Sequence, residues 1–168
     1  MIVSHRQIML NLALAIRDSK EVLDYCISNF SRGLDIHVGA YADQIPTEDD
    51  SPFLWIFADG ESESVGTDEN FSVSAIVAGS PIGPDGEKVI NNLLTKRSQL
   101  SNGLVINGAN QIIEDLRDII LQVARDSCCG ARIVNFTRSE SDFAHQPLEW
   151  AAFKIEFQFD ISLEDKGV

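Results

Sequence analysis

The residues of this chain best suited to chemistry are few, and their spacing does not serve it. The three histidines are His5, His37 and His145. None has a second histidine or a cysteine pair at metal-site or HExxH spacing. His5 falls in what reads as a first helical turn, His37 in a strand, and His145 two residues before Pro147. Ordinary structural histidines are the better reading than a metal ligand or general base. Cys26, Cys128 and Cys129 are odd in number and lack framework spacing, which argues against a secreted disulfide scaffold. The adjacent pair could form a vicinal redox couple, but two small buried residues at a helix exit are preferred. "DGESESVGTDEN" (Asp59–Asn70) resembles a calcium loop only in outline. Its glycine is second, its sixth residue is Ser64, and Asn70 stands where the bidentate glutamate is required. A solvated acidic loop is the simpler account.

Nucleophile and nucleotide motifs also fail on spacing. "GSPIG" and "GESESVG" put serine in the wrong place for a G-x-S-x-G elbow. In "GLVINGAN", Gly103 and Gly108 are followed by Ala109 and Asn110, where a phosphate loop needs Lys and then Ser or Thr. No G-x-G-x-x-G is present. The sequence therefore points to no catalytic residue, no cofactor and no metal, and no enzymatic activity is expected.

The charge distribution is more telling. The 168 residues carry a net charge of −13. Nine acids lie between Tyr41 and Asn70 (Asp43, Glu48, Asp49, Asp50, Asp59, Glu61, Glu63, Asp68 and Glu69), with no Lys or Arg among them. Such a surface repels phosphate backbones and anionic membranes, and it attracts basic protein partners. Lys88, Lys96 and Arg97 form the one basic cluster, suited to meeting the acids of a neighbouring copy. Hydrophobic residues make up 44% and charged residues 23%, ordinary for a globular domain, and the length fits one domain over residues 1–168. No apolar run approaches the roughly 20 residues that span a bilayer. The N-terminal stretch, interrupted by Arg6, Gln7 and Asn11, reads as no signal peptide. A cytoplasmic location is expected.

The elements that would position these residues follow from periodicity. Ser4 with Gln7 makes a capping-box pattern, and Ile8, Leu12, Ala15 and Ile16 recur at helical spacing. Asp18 and Ser19 offer caps for a second segment carrying Val22, Leu23, Cys26, Ile27 and Phe30, with Gly33 as its left-handed stop. One kinked helix and two helices both fit. "LDIHVGAY" (Leu34–Tyr41) reads as a strand, and "ADQIPTEDD" as an acidic loop. "PFLWIFAD" (Pro52–Asp59) is apolar enough to be a central strand buried on both faces. It forms an antiparallel hairpin with "FSVSAIVAG" (Phe71–Gly79) across a long polar loop. Residues 80–108 form a possible loop or hairpin insertion, in which "KVINNLLTKRSQL" is either a helix or one arm of a hairpin returning through "GLVING".

The clearest helix is Ala109–Cys128. Ile112, Ile113, Leu116, Ile119, Ile120 and Val123 fall on one stripe, and Glu114, Asp115, Arg117, Asp118 and Arg125 lie off it. Asn110 is its candidate cap and Gly130 its stop. "ARIVNFT" is a strand, and Glu149–Ser162 a long final one with Phe153, Ile155, Phe157, Phe159 and Ile161 on one face. Strands adjacent in sequence imply an α+β fold, a mostly antiparallel sheet packed against one or two amphipathic helices, with a helix at the N-terminus. The final strand is either central or an edge that another subunit extends, because an unprotected edge recruits partners. Trp150 at its start is the candidate interface anchor, since tryptophan is enriched at binding hot spots.

This order of elements resembles that of tail terminator proteins of long-tailed bacteriophages and prophages, and of related minor tail and head–tail joining proteins. The resemblance rests on the N-terminal helix, the P-x-L-W-I strand at Pro52–Ile56, and the polar hairpin into "FSVSAIV". It continues in the late amphipathic helix and the closing strand opened by "PLEWAAFKIEF" (Pro147–Phe157). It implies a homo-oligomeric ring, commonly a hexamer, that caps the tail tube and docks to the head connector. The tail tube protein and the connector protein would be its partners, and the host cytosol and the virion tail its locations. Glu48, Asp49, Asp50, Asp59, Glu61 and Glu63 would then face basic partners or line the ring. Lys88, Lys96, Arg97 and Trp150 would meet neighbouring copies. The alternative is a small-ligand-binding or adaptor α+β domain.

Overall fold

A computed structural model describes residues 5–39, 46–63, 68–80, 97–99, 105–127, 132–138 and 149–160. The chain begins with two helices, α1 (His5–Arg17) and α2 (Lys20–Phe30). Of the two readings of this region, the separate pair is the one observed. Ser19 makes the break: its extended backbone ends one helix, and its Oγ accepts from the Val22 N–H to cap the next. Ser4 lies outside the described residues. The expected stop at Gly33 comes two residues early. Ser31 takes the left-handed conformation (φ 61°), and its N–H donates to the Ile27 carbonyl at 3.0 Å. The helix ends where Phe30 completes the buried stripe, and Gly33 is left to the connection that follows.

Strand β1 (Asp35–Val38) is followed by a single 3-10 turn (Glu48–Asp50). Then come β2 (Phe53–Glu63), β3 (Asp68–Gly79), β4 (Arg97–Gln99) and β5 (Val105–Asn107). Helix α3 (Gly108–Asp126), β6 (Arg132–Arg138) and β7 (Glu149–Asp160) complete the order. The main sheet runs β1-β2-β3-β7-β6. Its pairings are antiparallel except β1 with β2, which is parallel, so the fold is α+β around a mixed sheet.

Two expectations are corrected here, and one open alternative is decided. Of the two readings of the final strand, the central one is observed: β7 pairs with β3 from Glu149 to Asp160 and with β6 from Phe153 to Gln158. Its apolar face then has two neighbours to share the core, which explains its length. The polar link between β2 and β3 is not a long loop, since pairing continues out to Glu63 opposite Glu69. Neither is β2 equally buried on its two faces. Leu54 and Ile56 are inaccessible, while Trp55 and Phe57 on the other side are half-exposed. In the region 88–108 the hairpin reading holds for Arg97–Gln99 against Val105–Asn107. Residues 88–96 lie outside the described residues.

The core lies on one face of the sheet. Leu54, Ile56, Phe71, Val73, Ala75, Val77, Ala151, Phe153, Ile155 and Phe157 form its floor, and Ile8, Leu12, Ile16, Val22, Cys26, Phe30, Ile113, Leu116 and Ile120 its roof. Helix α1 packs over β1 and β2, α3 over β3 and β7, and α2 against α3. At roughly 1.5–3 kcal/mol per buried large apolar side chain, this cluster is the main source of stability. Two details of α3 depart from the sequence reading. Asn110 is inside the helix and so does not cap it. Arg117, expected off the buried stripe, is only 7% exposed. Its Nε donates to Asp118 Oδ1 at 3.2 Å, so the guanidinium is buried with a carboxylate beside it. The helix ends at Asp126; Cys128, Cys129 and Gly130 lie outside the described residues.

Candidate interaction surfaces

With the helices on one side, the other face of the sheet carries half-buried residues, among them Trp55, Phe57, Ile76 and Trp150, while Phe53 and Ala78 on that face are buried. Its cross-strand rows follow from the register. His37, Trp55, Ile76 and Ala152 form one row, and Asp35, Phe53, Ala78 and Trp150 the next. The aromatic side chains at this end are held in place. The Trp55 indole N–H donates to the Gly39 carbonyl at 2.7 Å, and its ring lies 5.2 Å from that of Phe57. His37 meets Phe53 edge-on at 6.2 Å. Trp150 is half-buried.

The opposite end of the sheet is acidic. Glu61 and Glu63 stand in β2, Asp68 and Glu69 in β3, and Asp160 in β7. The register sets Glu63 opposite Glu69 and Asp68 opposite Asp160. Trp150 and Phe159 are nine residues apart on β7, which separates the aromatic and acidic ends by roughly 30 Å. The proposed interface residues of β2 and β7 are therefore not one site. His5, at the start of α1, stacks on Phe71 at 4.2 Å, closing the core near the acidic tip.

The two outer strands differ in charge. Beside β1, Arg32 bridges the Asp35 carboxylate at 2.7 Å and the Asp49 carbonyl at 2.9 Å. Asp50 Oδ2 accepts from the Thr47 N–H at 2.7 Å, a bond that holds its carboxyl below the usual carboxylate range. Asp49 is exposed, and Glu48 belongs to the same turn. Along β6, Arg132, Val134 and Arg138 are exposed, and Val134 is the extra residue of a bulge between Ile133 and Asn135. The Arg125 guanidinium sits 4.7 Å from the Phe136 ring centre. Arg138 Nε lies 3.3 Å from Asp118 Oδ1, the same oxygen that Arg117 contacts. Arginines thus concentrate at this edge of an acidic chain. Sequence reading passed over them, although Arg132 and Arg138 flanking the short run "IVNFT" were the available signal.

Of the anticipated basic cluster, Lys88 and Lys96 lie outside the described residues, and Arg97 opens β4. Asp59 lies on β2 where its pairing with β3 is interrupted between Ala58 and Gly60. Among buried titratable groups, Cys26 is pushed up to about 12 by burial, which makes its thiol unreactive. Glu149 is 3% exposed, on the helix-facing side of β7 opposite Gly79, and burial raises its carboxyl to about 7. Among the described residues, no group of three or more His, Cys, Asp or Glu could hold a metal ion. No helix among them is long and apolar enough to cross a membrane. No protein-family model matches the chain, and no curated protein matches it.

Proposed function

We propose that this chain is a structural assembly subunit, a tail-terminator-like protein that forms a homo-oligomeric ring on the end of a phage or prophage tail tube and joins it to the head. The observation that carries the reading is the one-sided sheet. Among the described residues, all three helices pack on a single face, and most of the other face, with one side of each outer strand, is not packed against them. The order of elements on which the sequence resemblance rests, from N-terminal helices through hairpin and late helix to two closing strands, is also that of the fold. Mechanism in this reading is steric and electrostatic. The ring occupies the surface that the next tube ring would use, and its acidic tip of Glu61, Glu63, Asp68 and Glu69 meets basic partner surfaces. Glu48, Asp49, Asp50 and Asp59 extend that acidic character, and Trp150, Lys88, Lys96 and Arg97 contribute to contacts between copies.

Light scattering coupled to size exclusion, over a range of concentrations and with negative-stain images, tests this. Closed rings are the expected result. A monomer at every concentration, with no rings in the images, would overturn it.

A further inference from the structure

Among the described residues, β1 and β6 each pair on one side only, and the direction of the strands decides how two copies could share the sheet. Taking β1 as up, β2 is up, β3 down, β7 up and β6 down. Set side by side in the same orientation, β6 of one copy and β1 of the next run antiparallel, the pairing that forms readily between short strands.

Charge selects the same arrangement. An antiparallel β6–β6 pair centred on Asn135 would set Arg132 opposite Arg138 of the other copy, two exposed arginines directly apposed. The arginines and the bulge at Val134 therefore disfavour β6 self-pairing, a known way of protecting an edge. The β1 side has the opposite sign, with Asp35, exposed Asp49 and Asp50 near Arg32. Hydrophobic register agrees. Ile36 and Phe136 both belong to the helix side of the sheet and are packed against the core. Seating them opposite each other places His37 across from Asn135, and Arg138 next to the Asp35–Asp49 end.

We infer that the β6 edge of one copy pairs antiparallel with the β1 edge of a second copy, extending the sheet from head to tail. Such a contact uses two different surfaces of each subunit, so it propagates into a ring or a filament and does not stop at a dimer. The inference rests on the self-assembly proposed above and names its surface.

The test is a cysteine pair, His37→Cys with Asn135→Cys, in the full chain with Cys128→Ser and Cys129→Ser. Oxidation should give a ladder of cross-linked species beyond the dimer. Mixing the two single-cysteine chains should give dimers only, and neither alone should cross-link. Independently, Asp49→Lys should weaken self-association about fivefold, the scale of a lost rim charge pair, with unchanged circular dichroism. Wild-type rings without any cross-linked ladder would overturn this assignment and leave the ring reading standing. Dimers alone from the double-cysteine chain would mean a two-fold contact and overturn it as well. A wild-type chain that stays monomeric would overturn both.

Discussion

Gly79 lies directly beneath the ring of Phe30: a Cβ built at Gly79 would stand 2.5 Å from Phe30 Cε1 and 3.1 Å from Ile113 Cδ1. The end of β3 thus carries no side chain on its core face so that α2 and α3 can close over it. Gly79→Ala should destabilise the fold by about 1–3 kcal/mol through overpacking. Urea denaturation checks this, with a lowered midpoint expected at an unchanged slope. Phe30→Leu in the same chain should recover part of the loss, because it removes the atoms in conflict.

Phe157 is inaccessible to solvent and sits across from Phe71 on one side and Ile133 on the other. Phe157→Asp buries a carboxylate among apolar groups and should abolish the cooperative unfolding transition. A soluble variant with a native-like melting curve would show that this strand presents its other face to the helices, a one-residue slip.

Glu149 supplies a pH dependence. Burial raises its carboxyl from 4.5 to about 7 in the folded chain, so the folded state binds the proton more tightly than the unfolded one. The stability linked to that proton is fully present below about pH 4.5 and is lost as the pH rises through about 7. Glu149→Gln keeps the shape and cannot ionise. Its melting temperature should approach that of the wild type in acid and exceed it increasingly toward pH 8, read by thermal melts across that range. A constant difference between the two chains would count against a buried, titrating Glu149.

Ser31 holds a left-handed conformation that favours glycine. Ser31→Gly should stabilise by up to about 1 kcal/mol. Ser19→Ala should cost about 1 kcal/mol by leaving the Val22 N–H without its cap. Chemical denaturation of the two variants should move the midpoint in opposite directions.

What the sequence disclosed and what it withheld divide along the distance over which each feature is decided. The stripe of Ile112, Ile113, Leu116 and Ile120, and the alternation of Phe153, Ile155 and Phe157, are set by neighbours a few residues away, and both are found as read. The stop of α2 was misplaced because Ser31 takes the left-handed turn before Gly33 is reached, once Phe30 has met Gly79 across the core. Arg117 looks like a surface residue until the fold buries it and brings Arg138 onto the Asp118 carboxylate that it contacts. Whether β7 was an edge could not be read from its own residues, since that depends on β3 and β6. For the same reason the charges of the candidate surfaces were legible, but not the roughly 30 Å separating Trp150 from the acidic tip, nor the arginine-bearing edge.

The central position of β7 also constrains how the chain is made. Residues 68–79 find their partner in residues 149–160, so the middle of the sheet needs a closure across some eighty residues. During synthesis the β2–β3 hairpin emerges with the free edge of β3 exposed, and nothing later in the sheet protects that edge until β7 leaves the ribosome. The nascent chain therefore spends about half of its synthesis with an adhesive edge, and its acidic hairpin tip supplies the repulsion between growing chains over that interval. Loss of the last twenty residues would remove all of β7 from the middle of the sheet, so truncated products should appear as aggregates or be degraded rather than persist as shortened, folded subunits.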